Sequence, residues 1–353
     1  MRAHAAPLVM RFGAFGDMVL LTVLLRHLYA RFGRPVDVIS SGVWTVPLLQ
    51  GQTGIGQLVT LRSRRTPYWL SADQQRLVRW LRARGAGPTW FCDRDLGVEL
   101  LHRGGITDGF ICDSRRYPWM PGEGFADRYI RLGNESPTAL AGQLPPPPKQ
   151  VERVAHIEVQ ASARSELQHW LQARQLCDRP YVIIHPGSRH LRRRWLRSRA
   201  GASKYWPEER WAAVVAAVRA ELPGHAILLT GMSVETRMNR DIIATAGVSD
   251  VHNVANELSI RTLLPLLEGA HSLISVDTGP AHAAAALATP TVALFGTADP
   301  VLFRPGGATT PAVSLTGTVD GQQNILGISA AQVMQAWMEL VREAGRASTG
   351  SQI

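Results

Sequence analysis

Short apolar runs alternate along this chain with longer stretches in which apolar residues recur at helical spacing. That alternation is the pattern of a parallel α/β protein. Leu8 to Phe12 reads as a buried strand, and the tight loop Gly13-Ala14-Phe15-Gly16 follows it. Leu21, Leu24, Leu25, Leu28 and Phe32 then recur with the period of a helix. The same reading predicts strands over Val36 to Ser40, Gln57 to Leu61, Thr89 to Asp93 and Gly109 to Cys112. A second series predicts strands over Tyr181 to His185, Ala226 to Thr230, Ser272 to Val276 and Thr291 to Phe295. Its helices are Glu208 to Glu221, Val234 to Ala246, Ile260 to Glu268 and Ala281 to Ala288, with a last helix over Ala330 to Ala344 and a frayed end from Ala347 to Ile353.

The run Pro145 to Pro148 punctuates the two series, because proline has no backbone N–H and cannot sit inside a sheet. The interdomain region is expected near residues 145–178, with a helix over Ala161 to Ala173. Two successive Rossmann-like units place their ligands beyond the carboxyl ends of the strands.

Composition narrows the class. Of 353 residues, 45% are hydrophobic and 19% charged, which excludes a disordered, collagen-like or disulfide-framework chain. Cys92, Cys112 and Cys177 are too few and too far apart for a zinc site or a disulfide framework, and a reduced compartment is the simplest reading. No apolar run is long enough to cross a membrane, and the start lacks a secretory pattern; a cytoplasmic protein is expected. The net charge of +10 is almost all arginine, since Lys149 and Lys204 are the only lysines. Acidic partners follow: phosphorylated substrates, an anionic membrane face or nucleic acid.

Three stretches carry candidate chemistry. Arg11-Phe12-Gly13-Ala14-Phe15-Gly16-Asp17 lies at a strand's carboxyl end, and Asp17 opens the next helix, whose positive end suits a carboxylate. From spacing alone Asp17 reads first as a helix cap, with a general base at a cleft edge as the alternative. The spacing is not the dinucleotide fingerprint. His185-Pro186-Gly187-Ser188 follows another strand, where small residues either form an ordinary turn or expose N–H groups to a phosphate. The arginines 189, 192, 193, 194, 197 and 199 come next, either a solvated loop or a contact for an anionic substrate or membrane. Lys204 leads the Tyr205-Trp206-Pro207 run into a helix, as a compact point charge in a chain that otherwise uses arginine. The richest stretch is Ser275 to His282, in which a strand ends, Gly279 turns the chain and Pro280 opens a small-residue helix. A helix start of this kind offers unpaired N–H groups to an anion. His282 sits in its first turn, as a structural histidine or a ligand contact, and Phe295-Gly296-Thr297 ends the neighbouring strand.

These pieces together resemble glycosyltransferase family 9, the ADP-heptose:lipopolysaccharide heptosyltransferases. The resemblance is carried by Arg11 to Asp17, by Lys204-Tyr205-Trp206-Pro207 with Trp211, by Asp277-Thr278-Gly279-Pro280-Ala281-His282 and by Thr291 to Thr297. Asp127 to Leu132, and Gly231 with Glu235, are weaker matches. The resemblance implies a GT-B fold: an acceptor-binding Rossmann-like domain over 1–160 and a nucleotide-sugar domain over 161–328 facing it across a cleft, then a terminal helix and tail over 329–353. It implies an inverting enzyme, with an ADP-sugar as substrate and neither cofactor nor metal. It casts Asp17 as catalytic base, with Gly16, Arg11, Arg192, Arg193 and Arg194 toward the acceptor. The donor would be held by Gly187, Ser188, Lys204, Glu235, Asp277, Thr278, Gly279, Pro280 and His282. The implied acceptor is a Kdo or heptose hydroxyl of a lipopolysaccharide precursor, reached from the inner face of the cytoplasmic membrane.

One departure from the family is the long arginine-rich stretch between Ser188 and Lys204. A second feature, Asp93-Arg94-Asp95, looks like the metal-binding D-x-D of a different glycosyltransferase fold, and reads here as structural or acceptor-facing. Two rivals stand beside the heptosyltransferase reading. One is a GT-B enzyme with another nucleotide-sugar donor. The other, resting on charge alone, is a nucleic-acid-binding protein, for which the sequence holds no motif.

Overall fold

A computed structural model describes residues 5–63, 65–94, 97–187, 204–306 and 311–350, the last four by backbone only. The chain divides into two compact units, Met1–Glu158 and Val159–Ile353. Each is built on its own parallel sheet.

In the first unit the strands are β1 (Leu8–Met10), β2 (Val36–Ser41), β3 (Ile55–Leu61), β4 (Thr89–Phe91) and β5 (Ile111–Asp113). Their order is β3-β2-β1-β4-β5, every pair parallel. Leu8 of the central strand lies opposite Asp37 on one side and Thr89 on the other. All three residues of β1 are buried, as an apolar run covered on both faces requires. The helix Phe15–Phe32 buries Met18, Leu21, Leu24, Leu25 and Leu28. It ends where Gly33 adopts φ 62°, a left-handed cap that donates its N–H to the Tyr29 carbonyl at 2.9 Å. From its last turn, Arg31 donates to the carbonyls of Gly133, Glu135 and Pro145, tying the start of the proline run to this unit.

In the second unit the strands are β6 (Tyr181–His185), β7 (Ala226–Leu229), β8 (Val251–Asn253), β9 (Ser272–Val276), β10 (Thr291–Leu294) and β11 (Ala312–Leu315). The order is β11-β10-β9-β6-β7-β8, again parallel throughout. Both sheets therefore run outward from their first strand, then cross back to its other side. Loops leaving β1 and β4, and loops leaving β6 and β9, diverge at such a switch point, and a crevice for ligand opens there.

The second core holds Val182, Ile184, Ile227, Leu229, Ile274, Val276, Val292 and Leu294 under three buried tryptophans. Trp206 and Trp211 meet edge to face at 4.7 Å. Trp206 Nε1 donates to the Ile328 carbonyl at 2.9 Å, and Trp337 Nε1 to Ser272 Oγ at 2.8 Å. The terminal helix Ala330–Gly350 packs on β10 and on the helix Glu208–Glu221, as part of this unit.

Several expectations shift. The strand expected over Gly109 to Cys112 starts at Ile111, because Asp108–Phe110 closes a 3-10 turn through Phe110 N–H to the Thr107 carbonyl. The last helix runs through Gly350 where fraying was expected from Ala347, since no proline or capping glycine interrupts it. The edge strands β8 and β11 are too short and too exposed to stand out as apolar runs. Among the described residues no helix is long and apolar enough to cross a membrane.

Trp211 is fully buried, and its indole N–H has no partner among the described residues. Trp211→Ala should lower stability by about 3–5 kcal/mol, the range for a large aromatic removed from a core. Trp211→Phe should cost much less, because it keeps a ring against Trp206 and discards an unpaired donor. Urea midpoints of the second-unit transition check both values.

Candidate active site

In the first unit the site is the turn from β1 into the helix Phe15–Phe32. Arg11 N–H donates to the Ile39 carbonyl, so the chain leaves the sheet under control of its β2 neighbour. From the other side of β1, Asp93 accepts from Phe12 N at 2.8 Å and from Arg94 N at 2.8 Å. Gly13 has no room for a side chain: a Cβ there would stand 2.5 Å from that of Asp17. Trp44 Nε1 donates to the Gly13 carbonyl at 3.2 Å and closes the loop from above β2.

Asp17 occupies the third position of the helix. One oxygen accepts from Ala14 N at 2.8 Å, and the other lies 3.3 Å from Arg11 Nη2. The carboxylate is one-quarter exposed. It has the geometry of a cap and also an open face. Arg11 sends Nη1 to the Cys92 carbonyl at 2.6 Å. Burial works against its charge, but Tyr129, Asp17, Cys92 and Asp93 around it raise its pKa, so it stays a cation. Gly16 lies in the first turn beside Asp17.

In the second unit the loops after β6, β7 and β9 converge. His185 closes β6 with Nδ1 2.9 Å from Thr230 Oγ1, and burial lowers its pKa to about 4, so it is neutral. Gly187 follows, where a Cβ would meet Glu235 Cγ at 2.2 Å. Only glycine permits that approach. Gly231 is similarly tight against the Glu235 Cβ. Glu235 itself is buried, and burial raises its pKa. Its Oε2 accepts from Met232 N at 2.6 Å, while Oε1 has no partner among the described residues.

After β9, Lys204 Nζ donates to Asp277 Oδ2 at 2.6 Å and to the Asp277 carbonyl at 2.5 Å. His282 Nε2 stands 3.6 Å from Asp277 Oδ1. Burial opposes the Asp277 charge, but His282 and Lys204 hold its carboxyl below the ordinary range. His282 is also buried, and its Nδ1 has no partner among the described residues. The helix Gly279–Ala286 starts here with Thr278 as N-cap, and no side chain caps it. Thr278 Oγ1 instead turns back to the Val276 carbonyl at 3.1 Å. Pro280 fills the first turn, and Phe295 is buried at the end of β10. Gln323 Nε2 holds the Gly296 and Ala298 carbonyls of the adjoining loop.

Thus Gly187 and Glu235 stand together, as do Lys204, Asp277, Thr278, Gly279, Pro280 and His282. In the first unit Arg11, Gly16 and Asp17 stand together. Ser188, Arg192, Arg193, Arg194 and Asp95 lie outside the described residues. The sequence reading missed the Lys204–Asp277 pair, the Gln323 clamp and the Asp93 hold on the Phe12 backbone. Asp93 had one visible signal, an acidic residue at a strand end. Lys204 and Asp277 lie 73 positions apart, and Gln323 lies 27 and 25 positions from the two residues whose carbonyls it holds, so no local pattern links them.

Buried polar atoms without partners are uncommon in native proteins and ask for an explanation. Glu235 Oε1 can accept a hydroxyl, His282 Nδ1 can exchange a hydrogen bond, and Lys204 has a third N–H to give. With an uncapped helix start, this is a place where a hydroxylated anion fits.

The comparisons with known proteins bear on the same stretches. The model of glycosyltransferase family 9 (heptosyltransferase) matches residues 140–323, more than half of the chain. Lipopolysaccharide heptosyltransferase 2 of Salmonella typhimurium is 21% identical, over 94% of this chain and 97% of its own. Among solved structures, the glycosyl transferase family 9 protein of Veillonella parvula has a TM-score of 0.76 at 18% identity, covering 96% of this chain and 97% of that one. The E. coli ADP-heptose lps heptosyltransferase II has a TM-score of 0.71 at 20% identity, covering 96% and 99%. At such identities the structures speak to the fold, which is the two-unit α/β architecture expected of GT-B. The family match spans Lys204, Glu235 and the Asp277 to His282 turn, and with it the chain belongs to glycosyltransferase family 9, the heptosyltransferases.

Proposed function

We propose that this glycosyltransferase moves a heptose from ADP-heptose to a hydroxyl of a lipopolysaccharide inner-core acceptor, a Kdo or a heptose, with inversion and without a metal. The observation that carries the reading is the group of polar atoms at the carboxyl edge of the second sheet that have no partner among the described residues: Glu235 Oε1, His282 Nδ1 and the helix start at Thr278. Glu235 would accept from a ribose hydroxyl, in the space kept by Gly187 and Gly231. Lys204 would give its remaining N–H to the diphosphate, which would lie against the N–H groups of Gly279 and Ala281. Pro280 has no N–H to lose there. Ser188 is the further donor contact proposed from the sequence.

The first unit would bind the acceptor through Arg11 and Gly16; Arg192, Arg193 and Arg194 are the further acceptor contacts proposed from the sequence. In the reaction the acceptor oxygen forms a bond to the donor's anomeric carbon as the bond to the diphosphate oxygen breaks. The acceptor proton goes to Asp17, and ADP leaves with the electron pair. Attack opposite the leaving group inverts the centre. Asp17 is suited to this by its exposed face, while Ala14 N and Arg11 hold it in place. Positioning of the acceptor oxygen against this fixed carboxylate supplies much of the rate. Charge gained by the leaving diphosphate is met by Lys204 and the helix end, where a preorganised donor is worth most. A divalent ion has no necessary part in this scheme. The acceptor's lipid anchor implies work at the inner face of the cytoplasmic membrane, as a peripheral protein on its cytoplasmic side.

Asp17→Asn should retain ADP binding and lower turnover by roughly 10²–10⁴, the range for a positioned general base. Turnover of the parent enzyme should be the same with and without EDTA. Near-normal turnover in Asp17→Asn returns Asp17 to the role of cap, and loss of activity on chelation with recovery on adding magnesium or manganese overturns the metal-free scheme.

Lys204→Ala should weaken ADP binding by about 1.5–3 kcal/mol, the range for a hydrogen bond to a charged group. Replacing Arg192, Arg193 and Arg194 together should instead raise the acceptor KM and weaken its salt dependence, with ADP affinity nearly unchanged. Calorimetry with ADP, and with UDP as control, separates the two variants. Tighter binding of UDP than ADP by the parent enzyme would point to a different nucleotide-sugar donor.

A further inference from the structure

His185 is buried in the floor of the second unit's site, and the reaction scheme gives it no part. It closes β6, the strand at which the winding of this sheet reverses, with β9 on one side and β7 on the other. Toward β9 it lies in register with Ser275. Toward β7 the backbone ladder stops one residue earlier, where Thr230 N donates to the Ile184 carbonyl at 3.0 Å. The next rung of a parallel ladder would run from the N–H of residue 186 to the Thr230 carbonyl, and residue 186 is a proline. The groups left over are taken by side chains. Asn239 Nδ2 donates to the Thr230 carbonyl at 3.4 Å, and Met232 N donates to Glu235 Oε2 at 2.6 Å.

Past the end of the ladder, the two strands are tied by a side-chain rung, His185 Nδ1 at 2.9 Å from Thr230 Oγ1. Thr230 is buried as well. The neutral ring brings no charge to a phosphate, so what this pair supplies is a fixed distance. Two residues beyond His185 stands Gly187, and next to Thr230 stands Gly231. A Cβ on Gly187 would come within 2.2 Å of Glu235 Cγ, and one on Gly231 within 2.9 Å of Glu235 Cβ. The Glu235 side chain is therefore gripped between the two loops, and their spacing is set where the imidazole meets the hydroxyl. Packing alone would ask only for shape at residue 230, which valine supplies as well as threonine. The hydroxyl is the part that packing does not explain.

We propose that His185 and Thr230 are positioning residues for the nucleoside of the donor: their bond sets the gap between the loops after β6 and β7, and so holds Glu235 Oε1 where a ribose hydroxyl meets it. Neither residue touches the substrate. Each acts through Glu235, whose free oxygen must stay within hydrogen-bond reach of a bound hydroxyl to discriminate for it. The inference rests on the ribose role proposed for Glu235 and adds the pair that keeps that carboxyl in place.

The test is calorimetry with ADP and with its dideoxy analogue, in which both ribose hydroxyls are replaced by hydrogen. The parent protein should prefer ADP by about tenfold or more, the effect of a hydroxyl bonded to a carboxyl group in a buried site. Thr230→Val keeps the side-chain shape and removes the hydroxyl, and its preference should fall to about threefold or less. Thr230→Ser restores a hydroxyl and should recover most of the preference. His185→Asn places an amide nitrogen near the position of Nδ1 and should also keep most of it, whereas His185→Leu should not. Both affinities are measured on one preparation, so a variant that folds less completely lowers the binding stoichiometry and leaves their ratio unchanged. A Thr230→Val protein with the parent's preference overturns the inference. So does an equal fall in Thr230→Val and Thr230→Ser, which would make residue 230 a packing position only. Equal binding of the two nucleotides by the parent is a different failure: it takes the ribose away from Glu235 and overturns that part of the functional reading, and the inference with it.

Discussion

The parallel pairing of one central strand with neighbours on both sides, β1 with β2 and β4 and β6 with β7 and β9, fixes where this chain can do chemistry. At those two strands the winding reverses, and the loops that leave adjacent strands must part. Into the first such gap the chain puts Arg11 to Asp17 beside Asp93. Into the second it puts Gly187, Glu235 and the Asp277 to His282 turn. Backbone carbonyls and N–H groups in the strands are spent on the ladders, so specificity falls to side chains and to the free ends of helices just beyond them.

The two gaps are built in contrasting ways. In the first, Asp17 has its contacts satisfied: a backbone N–H on one oxygen, a guanidinium on the other, and part of its surface in water. In the second, a buried carboxyl and a buried imidazole keep atoms without partners, and a lysine is neutralised by Asp277 while keeping an N–H in reserve. A ligand with matching hydroxyl and phosphate groups would give these atoms hydrogen-bond partners, each worth about 1–3 kcal/mol where the alternative is a buried group left unpaired. Glu235 and Gly187 illustrate the coupling: a side chain at residue 187 would displace the very carboxyl that awaits a partner.

Much of this was legible from the chain alone. The fold class, nine of the strands and the candidate loops follow from short apolar runs, several of which end in glycine, because strand burial and turn chemistry are local properties. Asp277 to His282 reads as a helix start from Pro280 and the alanines. The partnerships were not legible. Lys204 and Asp277 are separated by 72 intervening residues, and only the sheet order brings them together. Nor does the sequence show that His185 meets Thr230, because that too follows from the strand order. Helix Ala72–Arg84 escaped the periodic reading because its buried apolar face is only Leu77, Val78 and Leu81, with arginine and glutamine frequent around it. The arginines 192 to 194 keep only their sequence-level role.

The most direct measurement of the central claim is the anomeric configuration of the product. The purified protein would be given ADP-heptose of known anomer and a core acceptor lacking that heptose, and the new linkage read by the one-bond carbon–proton coupling at the anomeric centre. The account predicts a glycoside of the opposite configuration to the donor, formed together with ADP. A product that retains the donor's configuration, or release of free heptose with no glycoside, would contradict it.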